Sequence, residues 1–174
     1  MKKYFLMVTG LTSFYISVCQ PNCPVVKGYA FQRSTFPGTI QKGVTNENGT
    51  QTERPVKPII TNFIYAEMKP AQTVKPTAIW IRGKGYTVEI EKTTGPVIVP
   101  KQGLGGTPIP DTLVKETKNS LYRIQPKNLL SEKPPSKISK KMNQKNVIIE
   151  YYWKGKKQYY TIKDIKNLPP LALQ

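Results

Sequence analysis

Residues 59–68, IITNFIYAEM, alternate strictly. Ile60, Asn62, Ile64 and Ala66 fall on one side; Thr61, Phe63, Tyr65 and Glu67 fall on the other. A period of two sends successive side chains to opposite faces, so Ile59–Met68 reads as a β-strand. The same rhythm flanks Gly83-Lys84-Gly85, with Ile79 and Ile81 before it and Tyr86, Val88 and Ile90 after it. Glycine reaches the positive φ of tight turns, so Thr77–Arg82 and Tyr86–Lys92 are expected to form a β-hairpin with a basic tip. A second hairpin is expected from Asn146–Trp153 and Gln158–Ile162 around Lys154-Gly155-Lys156-Lys157. IRGKGYTVEI and WKGKKQYYTI share an apolar residue, a basic residue, glycine and lysine. Common turn physics accounts for that likeness better than duplication, since the rest of the chain does not repeat.

The remaining apolar runs are shorter. Val25–Phe31 makes a first strand, Pro96–Pro100 a proline-bounded one, and Leu113–Lys115 and Leu121–Ile124 two more. Polar stretches rich in Gly, Pro, Ser, Thr, Asn and Lys put long loops near 33–57, 101–112 and 127–145. Sixteen prolines and twelve glycines leave helices little room. Single helical turns are expected only at Lys127–Leu130 and Asp164–Leu168. The predicted fold is therefore all-β: a single antiparallel, immunoglobulin-like β-sandwich of about seven or eight short strands. Trp80 would be a core residue on a central strand.

The N-terminus follows a different pattern. Lys2 and Lys3 precede an uncharged, mostly apolar run from Tyr4 to Val18, then Cys19 and the polar, turn-prone Gln20-Pro21-Asn22. That order is the layout of a secretory signal peptide over residues 1–19, leaving 20–174 as a single β-rich domain. It predicts an extracytoplasmic protein of the periplasm, cell envelope or medium. Three outcomes fit the segment. Cleavage after Cys19 gives a soluble protein, and lipidation of Cys19 gives a lipoprotein held at a membrane. Retention gives an anchor, although the run is shorter than the roughly 20 apolar residues a spanning helix needs. Cys19 and Cys23 are the only cysteines, so no disulfide framework holds the fold.

Charge narrows the partners. The chain carries 27 basic and 10 acidic residues, a net charge of +17. Twenty-three of the basic residues are lysine, and arginine is the residue suited to bidentate phosphate and base contacts. With the extracytoplasmic address, this sets nucleic acid aside and favours a protein or an anionic glycan or lipid surface. Within ten residues stand Tyr151, Tyr152, Trp153, Tyr159 and Tyr160, interleaved with lysine. Exposed Tyr and Trp beside Lys stack on sugars or anchor a protein, so the candidate binding face is Tyr151, Trp153, Lys154, Lys156 and Tyr159.

Catalytic chemistry has little to build on. There is no histidine, and the two aspartates lie far apart, so neither a cofactor nor a metal site is expected. Gly103, Gly105 and Gly106 lack the Lys-Ser/Thr of a phosphate loop. An enzyme acting on envelope polymers would need a carboxylate site drawn from Glu67, Glu89, Glu91 and Glu150. The leading expectation is a non-catalytic interaction or structural module. Two candidate glycan acceptors are Asn48 in Asn48-Gly49-Thr50 and Thr112 in Asp111-Thr112-Leu113.

Overall fold

A computed structural model describes residues 23–36, 44–45, 51–52, 57–70, 72, 74–102, 108–140, 142 and 146–172. The predicted signal segment with Cys19, and the acceptor Asn48, lie outside the described residues. In chain order these residues form β1 (Val25–Phe36), β2 (Val44–Thr45), β3 (Gln51–Thr52), β4 (Ile59–Met68), β5 (Lys75–Ile81), β6 (Lys84–Thr93) and β7 (Val97–Gln102). There follow β8 (Pro108–Val114), β9 (Ser120–Leu129), the helical turn α1 (Ser136–Ser139), β10 (Val147–Trp153), β11 (Lys156–Ile162), β12 (Lys166–Asn167) and β13 (Leu171–Ala172).

The protein is all-β, as expected, but the pairing does not divide into two sheets. One continuous path runs β11-β10-β5-β6-β9-β4-β1-β12, and β13 also pairs with β1. Neighbours along the path are antiparallel except β12 and β13, which run parallel to β1. β7 and β8 form a separate two-stranded sheet, as do β2 and β3. The expected antiparallel sandwich is thus a mixed sheet that curls on itself.

The curl follows from the alternation. One face of every long strand is apolar: Ala30 on β1, Ile64, Ala66 and Met68 on β4, Ile79 and Ile81 on β5, Ile124 on β9. Val147, Ile149 and Tyr151 on β10 and Ile162 on β11 complete it, and all pack as one buried cluster. Hiding that face against itself brings the two ends of the sheet together. A Cβ on Gly28 of β1 would stand 2.6 Å from Ile162 Cγ1 and 2.8 Å from Tyr160 Cε1, so β11 lies directly on β1 at a position without a side chain. Three residues after β11 the chain joins the edge of β1, where the Leu168 N–H donates to the Gln32 carbonyl at 2.8 Å.

Bulges supply the bends. The register of β10 against β5 shifts between Glu150 and Tyr151, so that Thr77 is the extra residue beside Pro76. The register of β6 against β9 shifts between Tyr86 and Val88, beside Pro126. A proline has no N–H for the ladder and is tolerated where a bulge interrupts it. That tolerance explains why β9 runs through Pro126 to Leu129, where the sequence predicts a strand end and then a helical turn at Lys127–Leu130.

The outer face is covered in two places. The β7–β8 hairpin lays Leu113 and Val114 on Phe31, Tyr65 and Leu121. α1 lays Ile138 on Trp80 and Ile148. Trp80 is buried on a central strand, but on the outer face rather than in the enclosed core. Other expectations shift with these covers. The loop predicted near 33–57 loses its start to β1 and holds β2 and β3, and the one near 101–112 yields to β7 and β8. The one at 127–145 begins inside β9 and holds α1. Asp164–Leu168 is not a helical turn, because Lys166 and Asn167 pair with β1 instead.

Closure on Gly28 is testable. Gly28→Ala is expected to destabilise the protein by about 1–3 kcal/mol in urea unfolding, the usual cost of overpacking. An unchanged midpoint would show that β11 does not rest on β1.

Candidate functional site

The two hairpins end in two-residue turns of the same kind. Arg82 and Gly83 have φ of 50° and 85°, and Lys154 and Gly155 have φ of 49° and 71°. Two consecutive positive φ angles match the right-handed twist of the flanking strands, as in type I′ turns. Asn or Asp usually precedes the glycine there; here a long cation does. Gly85, read from sequence as part of the first turn, instead lies in β6, where a Cβ would meet the Trp80 ring at 2.7 Å.

From the second turn, β10 carries its side chains alternately in and out. Tyr151 points inward, is 3% exposed, and its hydroxyl lies 3.6 Å from the Sγ of Cys23, a free and half-buried thiol. Trp153 shares that phase and packs half-buried against the core, with Lys154 Nζ 4.8 Å from its ring centre. Tyr159, on the outer face of β11, packs half-buried against the Trp80 cluster. Tyr151, proposed from sequence for the binding face, is therefore an interior residue. Lys154 and Lys156 are exposed as expected.

The residue that sequence reading left out is Tyr152. It points outward and is 45% exposed. Its register partners are Lys157 on β11 and Lys75 on β5. Directly opposed residues share a face, so the ring lies between two lysines, and Lys157 Nζ is 5.9 Å from its centre. In the run VIIEYYW no apolar–polar alternation fixes the phase; only Glu150, two places from Tyr152, marks the outer set.

Glu150 anchors this strip. It is buried, accepts a hydrogen bond from Thr77 Oγ1 at 3.1 Å and pairs with Lys157 Nζ at 2.9 Å. Hydrogen bonding to Glu150 and its charge hold the Lys157 ammonium above its ordinary pKa. Burial, then the charge of Glu150, pushes the Tyr159 phenol up. Among the described residues no carboxylate pairs with Lys75, Lys154 or Lys156. The strip thus runs from a covered end under α1 to an open end of Tyr152 and surplus lysine.

The other carboxylates proposed for catalysis are spent elsewhere. Glu67, buried on the outer face of β4, accepts hydrogen bonds from the Tyr29 hydroxyl, and from Thr117 Oγ1 and Asn119 Nδ2 at 3.0 Å each. It thereby pins the β8–β9 connection to the sheet. Burial pushes its pKa up, but those bonds and the charge of Lys27 together hold it below the ordinary carboxylate value. Burial and Glu67 hold the Tyr29 phenol well above its usual range. Glu89 pairs with Lys127, and Glu91 lies 3.9 Å from Arg123, all on the exposed face of β6 and β9. Glu67 and Glu150 sit on separate strands with separate partners. No group of three His, Cys, Asp or Glu among the described residues could hold a metal ion. Thr112 is exposed on the outer side of β8.

No protein-family model matches the chain, and no curated protein or solved structure is similar enough to count as a match.

Two outcomes follow. Because the folded pKa of Glu67 is depressed, its contribution is complete above the unfolded-state pKa and is lost as pH falls through the folded value. Glu67→Gln is expected to cost about 1–3 kcal/mol near neutrality and to flatten the fall in Tm between pH 5 and pH 3; an equally steep fall would rule Glu67 out as its source. Lys154→Asn is expected to raise stability by roughly 0.5 kcal/mol or more in urea unfolding, since asparagine suits the first turn position.

Proposed function

We propose that this protein is a non-catalytic binding module of the extracytoplasmic space that engages an anionic polymer or surface. The observation that carries the reading is Tyr152, outward-facing and exposed between Lys75 and Lys157. An aromatic ring offers a stacking platform for a sugar, and Lys75, Lys154 and Lys156, which have no carboxylate partner among the described residues, offer charge for acidic groups along a chain. The structural engagement of Glu67 and Glu150 supports the non-catalytic part, and the 1–19 segment supports export. An acidic patch on a protein would satisfy the same lysines; a polymer is favoured because the exposed Tyr152 ring beside them offers a stacking surface for a sugar unit.

The test is retention on immobilised heparin, used as a model sulfated glycan. Wild type is expected to bind at low salt and elute as salt rises, because screening weakens such contacts. Tyr152→Ala is expected to bind roughly five- to tenfold more weakly. Lys154→Glu with Lys156→Glu is expected to elute at clearly lower salt than a control with the same net charge, Lys133→Glu with Lys137→Glu. Equal elution of the two double variants, with Tyr152→Ala unchanged, would overturn the assignment to this strip.

A further inference from the structure

The β7–β8 hairpin carries a second feature, on another part of the sheet from Tyr152 and independent of the binding strip. Its inward side is settled by packing. Leu113 and Val114 are buried, and Val97 and Val99 join them against Phe31, Tyr65 and Leu121. Its outward side follows from the register. Ile98 opposes Thr112 and Pro100 opposes Pro110. Opposed residues share a face, and so do residues two apart on a strand, so these four form one surface. All four are exposed, Ile98 at 53%. That surface is apolar except for one hydroxyl, the hydroxyl of Thr112.

The local backbone presents this hydroxyl. The register shifts between Val97 and Ile98, which leaves Leu113 as the extra residue on β8. The bulge lets Leu113 and Val114 both turn inward, so β8 is seated on the sheet directly after Thr112. β8 pairs with β7 alone, so among the described strands its other edge is open. An enzyme that reads an extended acceptor can add to that edge with the fold intact. The sequence presented is Asp111-Thr112-Leu113, an acid, a hydroxyl and an apolar residue, the order of an O-glycan acceptor. The surroundings fit a sugar as well. The C–H face of a sugar ring held on Thr112 would shield Ile98 and the two prolines from water. A bulky, hydrated group there also blunts an open strand edge against association.

We propose that Thr112 is an O-glycosylation site whose glycan covers the outer face of the β7–β8 hairpin. The donor is a sugar activated through a diphosphate link, and a separate transferase supplies the catalysis. Thr112 Oγ1 attacks the anomeric carbon and forms the new C–O bond. The bond from that carbon to the diphosphate oxygen breaks, and the diphosphate leaves with the electron pair. The hydroxyl proton passes to a base of the transferase.

Mass spectrometry on the full chain, isolated from the cells that naturally produce it and then digested with trypsin, tests the proposal. Cleavage after Lys101 and Lys115 yields peptide 102–115, which holds Thr107 and Thr112 as its only hydroxyl side chains. In the wild type most of this peptide is expected to carry the added mass of one or more sugar residues, placed on Thr112 by fragmentation. Thr112→Val keeps the β-branched shape on the exposed face and is expected to lose the increment completely. Thr112→Ser keeps the acceptor oxygen and is expected to retain it. An unmodified wild-type peptide would overturn the site. An increment that survives in Thr112→Val would overturn it too, by placing the sugar on Thr107.

Discussion

An antiparallel sheet with Ile, Val and Met along one face can hide that face under a second layer or against itself. This chain does the second, and the bare backbone at Gly28 permits it. Tyr160 and Ile162 of β11 come to rest where a side chain on β1 would block them. The bulges beside Pro76 and Pro126 then supply curvature at points where proline leaves the ladder short of donors. Once the inner face is closed, the outer face needs covers of its own, and β7–β8 and α1 provide them. The open end of β5, β10 and β11 is what they leave to solvent.

The distribution of charge follows from the same construction. The outside of the sheet is tied together by carboxylates, one holding a connection and one linking neighbouring strands. Glu67 gathers Tyr29, Thr117 and Asn119, and Glu150 gathers Thr77 and Lys157. Acidic side chains are few, and these two are engaged within the fold. The lysine excess is thereby left on the surface, and Lys75, Lys154 and Lys156 lie exposed on the strands and turn around Tyr152. The exposed lysines near Tyr152 are what remain once a carboxylate-poor chain has engaged these two carboxylates within the fold.

Much of the fold was legible where the period of two was clean. Ile59–Met68 was read with its observed bounds, and both hairpins were found from glycine-centred turns between alternating strands. Legibility failed where a local signal pointed away from a tertiary partner. Pro126 and the polar Lys127-Asn128 hid the end of β9, because a bulge is invisible in sequence. Asp164 suggested a helix start, but the free edge of β1 captured Lys166 and Asn167 into a parallel pairing that no local pattern encodes. The closing of one sheet, in place of two facing sheets, depends on Gly28 meeting β11, a contact between the two ends of the chain. Of the candidate face, Lys154 and Lys156 are exposed, Trp153 and Tyr159 are half-buried, and Tyr151 is interior. A run of Tyr-Tyr-Trp is apolar on both sides, so Tyr151 was taken for an outward residue and Tyr152 was missed.

Closure of the sheet through its first and last strands is the central claim, and amide hydrogen exchange addresses it most directly. The Leu168 N–H, bonded to the Gln32 carbonyl across the closing edge, should exchange only on global unfolding. Its opening free energy should equal that of the β4 and β5 amides. Rapid exchange at Leu168, with β4 and β5 still protected, would contradict a self-closed sheet.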